Sequence, residues 1–190
     1  MLEALLSGRK RPNSGLITYN GITTGANLVS GASVATSLGL TVGTETSQAI
    51  TSEWLSFTTD KGKALHIASV RFRFNLSWSQ INARNGINGS TTIVIGGKLF
   101  KIRLLSSEEW NTYMYAVSAT RPVTYNGDRL AELSDAVLGL SFANGPGTIC
   151  SDLDGGYCTV RSLGSPHAEL KPSSTAINNS YGWRPVVEEM

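Results

Sequence analysis

Between residues 53 and 117 apolar and polar residues alternate as they do in paired strands, and this tract commits the chain to a sheet-built module. Glu53-Trp54-Leu55-Ser56-Phe57 and Ala64-Leu65-His66-Ile67-Ala68 flank a turn-forming Asp60-Lys61-Gly62-Lys63, which predicts a β-hairpin. Val70, Phe72, Phe74 and Leu76 alternate with Arg71, Arg73 and Asn75, the pattern of a strand whose polar face carries both arginines. Residues 91–95 join residues 98–105 through Gly96-Gly97, a pair that tolerates the positive φ of a two-residue hairpin turn. Ser77 caps a short helix with Trp78 and Ile81 on one side. Ser106-Ser107-Glu108-Glu109 resembles a capping box, and Trp110, Tyr113, Met114 and Val117 then predict a helix over 107–118 laid on the sheet. The closing Trp183-Arg184-Pro185-Val186-Val187 is apolar, and its proline places it at a sheet edge or a strand end.

The flanks differ in composition. Residues 12–50 are rich in Gly, Ser and Thr, with one aromatic, Tyr19, and little bulky apolar surface to offset the entropy of ordering. Leu16, Ile17, Ile22, Leu28 and Val34 nevertheless recur there, which suits an extended arm ordered by a neighbouring subunit; a flexible tether is the alternative. Arg9-Lys10-Arg11 adds a short cationic run for an acidic partner. The expected organisation is an arm over 1–50 and an α+β, β-rich module over 51–190. Within the module, residues 119–180 read as long surface loops tied to short strands. A single core suits 190 residues at 41% hydrophobic, and a net charge of +2 does not signal specific nucleic-acid binding. The order of charges in residues 1–11 is not that of a secretory signal, and no stretch reaches the roughly 20 apolar residues of a membrane span. Synthesis in a cytoplasm is therefore expected.

The chemistry-bearing residues are sparse. His66 and His167 are the available histidine bases; His66 is expected to point out of the sheet or to be a satisfied, partly buried residue, His167 to be a loop residue able to touch a ligand. Asp152 and Asp154 lack the following ligand spacing of a calcium loop, and Glu108 and Glu109, adjacent on a helix, cannot flank one bond. Cys150 and Cys158 are close enough in sequence to permit a small disulfide loop, and two cysteines without paired histidines make no zinc site. No cofactor or metal is expected. Trp54, Trp78, Trp110 and Trp183 are expected in the core, and a ligand, if bound, would meet Tyr157, Arg161, His167 and Lys171 in the loops between residues 141 and 179.

Several motifs in order carry a resemblance. Glu53-Trp54-Leu55-Ser56-Phe57, Ser77-Trp78, Lys101-Ile102-Arg103-Leu104-Leu105, Glu109-Trp110-Asn111 and Gly182-Trp183-Arg184-Pro185-Val186 resemble a module of tailed-bacteriophage virion proteins, over about residues 50–190. In that family a Trp-Cys segment often precedes the last strands; here Ile149 stands before Cys150. The terminal Gly-Trp-Arg also looks like the last strand of C-type-lectin-like domains, paired beside the first strand, although the Glu-Pro-Asn and Trp-Asn-Asp calcium motifs are absent from the sequence. The resemblance implies a non-enzymatic virion protein, homo-oligomeric; the arm, which the resemblance does not cover, is expected to attach it to sister subunits or other virion proteins through Arg9, Lys10, Arg11, Leu16, Ile17 and Tyr19. The alternative is an adhesin for a bacterial surface glycan or protein.

Overall fold

The computed structural model describes residues 17–140, 147–163 and 167–190. Two six-stranded sheets form its frame. The first runs β1 (Thr18–Thr24), β3 (Glu53–Thr58), β4 (Ala64–Ala68), β12 (Val186–Glu189), β7 (Lys98–Arg103), β6 (Asn88–Ile95), all neighbours antiparallel. The second runs β10 (Glu169–Leu170), β9 (Tyr157–Arg161), β8 (Gly147–Asp154), β11 (Asn178–Trp183), β5 (Arg73–Leu76), β2 (Thr44–Glu45), with β8 and β11 parallel. Short helices α1 (Gly31–Ser37), α2 (Ser47–Thr51) and α3 (Trp78–Asn82) pack with the inter-sheet core. On the other face of the first sheet lie α4 (Ser107–Glu109), a π turn (Trp110–Met114), α5 (Tyr115–Val117) and α6 (Asp135–Leu138). The chain is thus α+β and strand-rich.

The first sheet is covered on both faces where β3, β4 and β12 meet. Trp54, Ala68 and Val187 enter the inter-sheet core with Phe72, Ile149, Val160 and Trp183, while Leu55, Phe57, Leu65, Ile67 and Val186 meet Trp110, Met114 and Val117 beneath the helix. This explains why β3 buries four consecutive residues from Trp54 to Phe57, as a strand with two covered faces must. Trp54 lies edge-on to Phe72 at 5.2 Å, and its indole N–H donates to the Val29 carbonyl at 2.9 Å.

Most sequence-predicted elements are present. The 53–68 hairpin pairs Thr58 with Ala64, and the glycine hairpin pairs Ile95 with Lys98 across Gly96 and Gly97, at φ 57° and 80°. Ser77 and Ser106 both head full capping boxes, with Gln80 and Glu109 answering.

Three expectations are corrected. Residues 17–50 do not lie extended on a neighbour: β1, with Ile17 and Tyr19 at its start, pairs with β3, and Val34, Ala35, Leu38, Leu40 and Ala49 are buried in the chain's own core. The small residues are what let this segment fit, since a Cβ on Gly31 would meet the Phe72 ring at 2.3 Å. Arg9, Lys10, Arg11 and Leu16 lie outside the described residues. The strand around Phe72 begins only at Arg73, and Arg73 is held rather than free on a polar face, donating to Val42 O at 3.1 Å and pairing with Glu45 at 3.2 Å. Of the sheet edge and the strand end expected for Pro185, the strand end is present: it sits in the step between β11 and β12, where it breaks no ladder, and β12 itself is central. The Gly182-Trp183-Arg184 segment does not pair beside the first strand: Gly182 and Trp183 lie on β11, whose neighbours are β8 and β5.

If residues 17–50 belong to the folded unit, Leu40→Ala should lower the stability of the free protein by about 2–5 kcal/mol in urea denaturation, as for other buried leucines. A residue of an unfolded docking arm would leave the urea midpoint unchanged.

Candidate functional site

The β8–β9 hairpin turns at Gly155 and Gly156, at φ 54° and 85°, and its alternation sorts the side chains of β9. Cys158 and Val160 enter the inter-sheet core, so Tyr157, Thr159 and Arg161 take the opposite face. Beside that row run Ser173, bridged to Tyr157; Lys171, whose Nζ donates to Thr159 Oγ1 at 2.7 Å; and Glu169, which pairs with Arg161. His167 lies edge-on to the Tyr115 ring at 5.5 Å. All four residues singled out in the sequence border one surface, but Tyr157 and Arg161 stand on strand β9 rather than in a loop, roughly 13 Å apart along it.

Arg161 itself is not offered to a ligand as the sequence reading supposes. It is buried; Nη1 donates to Glu169, and Nη2 donates to Asn111 Oδ1 and, at 3.0 Å, to the Tyr115 hydroxyl. Its Nε alone lacks a partner among the described residues. Asn111 and Tyr115 come from the helical layer, so Arg161 ties the second sheet to the cover of the first. Burial alone would raise the Glu169 carboxyl, but Arg161 and then Lys171 hold it below the usual carboxylate range. The exposed groups of this surface are Tyr157, His167 and Lys171, next to Glu169. Glu169, Asn111 and Tyr115 were missed in the sequence, although Asn111 belongs to the Glu109-Trp110-Asn111 motif.

A second polar surface lies on the first sheet, a recess of ≈ 280 Å³ bounded by Asp60, Lys61, Lys63, Arg103, Glu109 and Tyr113. At its floor Arg103 makes a forked pair with Glu109, 2.7 Å on each arm, and donates Nε to Glu188 at 2.6 Å. Burial, then the Glu109 carboxylate, pushes the Tyr113 hydroxyl up to about 12. Glu109 also caps Ser106 N–H at 2.9 Å, so its oxygens are committed to structure.

His66 is a satisfied strand residue, as expected: Nδ1 lies 2.9 Å from Ser56 Oγ, which is 2.8 Å from Thr23 Oγ1. A serine beside a histidine is the start of a nucleophile–base pair, but Ser56 is buried within the sheet and already shares its hydroxyl with two partners. Asp152 accepts the Ser107 N–H at 2.6 Å, and no cluster of three metal-ligating side chains occurs among the described residues. None of the helices among the described residues is long and apolar enough to cross a membrane.

Cys150 and Cys158 are both buried free thiols, so the disulfide loop permitted by their spacing is not formed. Ile149 pairs with Val160, and both point into the inter-sheet core with Cys158; Cys150, one residue on, faces the other way. Burial raises both thiols, Cys150 most, with the Asp152 carboxylate adding to it.

Searches of protein-family models, curated proteins and solved structures gave no match to this chain.

Two outcomes follow. Neither thiol should react with Ellman's reagent until denaturant is added, because both are buried and held protonated. Glu169 and Glu188 have folded-state pKa values below the ordinary 4.5, so their contribution is complete above that value and is lost as pH falls through the folded value. The urea midpoint should fall as pH is lowered through this range, and less steeply in Glu169→Gln.

Proposed function

We propose that the protein is a non-enzymatic structural component of a tailed-bacteriophage virion, a head decoration, collar or tail accessory present in many symmetric copies. The observation that carries the reading is that the ordered motifs of the resemblance touch one another. Arg103 of Lys101-Ile102-Arg103 forks onto Glu109, Trp110 lies 5.3 Å beneath the Arg184 guanidinium, and Trp54 and Trp183 share one core. A Cβ on Gly182 would meet Arg73 O at 2.0 Å, so the glycine of Gly182-Trp183-Arg184 is required by strand pairing. These motifs come together as one framework in this chain, which supports reading them as a unit. The C-type-lectin-like reading of that module rests on the terminal Gly182-Trp183-Arg184 alone, and the function proposed does not depend on it.

Attachment falls to residues 1–16, which precede β1 in the sequence and carry Leu2, Leu5, Leu6 and the Arg9-Lys10-Arg11 run. Their leucines and cations supply an apolar and an electrostatic contact with sister subunits or other virion proteins, multiplied by copy number. The adhesin reading keeps one specific support, the surface where Tyr157, His167 and Lys171 are exposed beside Glu169.

Removal of residues 1–16 should abolish incorporation of the protein into particles, read by immunogold labelling and blotting, while the circular dichroism spectrum of the shortened protein stays that of the whole. Incorporation at the undiminished level would overturn the attachment model. Binding of the purified protein to host cells, lost in Tyr157→Ala/His167→Ala, would favour the adhesin.

A further inference from the structure

The two sheets leave four edges, and three of them are blunted. In the second sheet the edge strands β10 and β2 have two residues each, and each carries a glutamate. In the first sheet β1 is broken by a bulge between Tyr19 and Gly21. Short strands, charges and bulges are the common means by which an edge is kept from pairing with another chain. The fourth edge, β6, has none of these over its outer half. It is an eight-residue strand, its bulge lies at its start between Asn88 and Thr91, and residues 85–97 contain no charged residue and no proline.

The register fixes which groups this edge presents. Ile95 faces Lys98 across the glycine turn as a hydrogen-bonded pair, so Ile95, Ile93 and Thr91 turn their backbone groups inward to β7. The N–H and C=O of Ser90, Thr92 and Val94 point outward. Those of Thr92 and Val94 have no backbone partner among the described residues; the Ser90 N–H is taken by Asn88 Oδ1 at 3.1 Å. Beside them is an apolar surface at the same end of the hairpin: Val94 is 67% exposed, its cross-strand partner Leu99 44%, and Met190, whose N–H donates to Leu99 O, 59%.

We infer that β6 is the interface between two copies of this chain, joined antiparallel about a two-fold axis at Thr92. That axis sets Thr92 opposite Thr92 of the second copy as a hydrogen-bonded pair and Ser90 opposite Val94, so the outward groups of Thr92 and Val94 meet outward groups of the second copy once the Ser90 N–H exchanges Asn88 Oδ1 for the Val94 carbonyl. The strand is self-complementary in this register. No charge is brought against a like charge, and the first sheets of the two copies become one sheet of twelve strands. A second copy fits better than a charged peptide, because nothing on this edge would select a charge. The proposal rests on the edge geometry and not on the virion reading.

Sedimentation velocity of the full chain tests it. The protein should sediment as a dimer at micromolar concentration, and Val94→Lys, at an exposed position that leaves the core untouched, should weaken the dimer at least tenfold. Thr92→Pro, which deletes one outward N–H, should do the same, whereas Ile22→Lys on the β1 edge should leave the dimer intact. A monomer at all concentrations, a dimer that survives both β6 substitutions, or open-ended growth in place of a closed pair would each overturn the proposal. A soluble dimer that never enters particles would leave it standing and sink the virion reading; a monomer that enters them would do the reverse.

Discussion

Everything in this fold hangs on the passage of the chain from the second sheet to the first at Arg184. Trp183 ends β11 in the inter-sheet core, Val186 opens β12 between β4 and β7, and the two residues between them must turn inside the protein. Arg184 is almost wholly buried. One Nη donates to Leu138 O at 2.7 Å, the other approaches Met114 Sδ, and the guanidinium lies over the Trp110 ring. Burial pulls it below the ordinary arginine value, yet it remains charged at neutral pH. Its Nε has no partner among the described residues, and no carboxylate among them answers the charge. An aromatic face and a carbonyl thus carry a cation that water would hold more cheaply, and the α6 turn, the helical cover and the sheet crossing are fixed to one another by that contact.

The two polar clusters repeat this logic. Arg103 joins β7, β12 and the helix start through Glu188 and Glu109; Arg161 joins β9, β10 and the same helix through Glu169, Asn111 and Tyr115. Three arginines therefore tie the helical cover to both sheets, each through a planar group that bonds in more than one direction. This is an economy of structure. It leaves Tyr157 and His167 exposed beside Lys171, which is itself held by Thr159 and Glu169.

Local signals in the sequence were read well where they act locally. The glycine pair, the two serine caps and the 53–68 hairpin depend on residues within a few positions of each other, and all are present. The segment before residue 50 was misread because its poverty in bulky residues was taken as lack of a core, whereas its glycines and alanines exist to lie against large neighbours such as Phe72. Arg161 is buried rather than a free surface cation, and nothing near it in sequence announces Asn111, fifty residues earlier. The facing of Cys150 away from Cys158 depends on which strand residue pairs with which, and spacing alone does not carry that.

The central place of β12 has a consequence for how the protein is made. The first sheet is split into β1-β3-β4 on one side and β6-β7 on the other until the last five residues arrive, because β12 alone bridges them. The sheet closes through a contact between β4 and β12 that spans more than a hundred residues of sequence. Such long-range closure slows folding, with two half-sheets exposed in the interval and open to chaperones or to each other's copies.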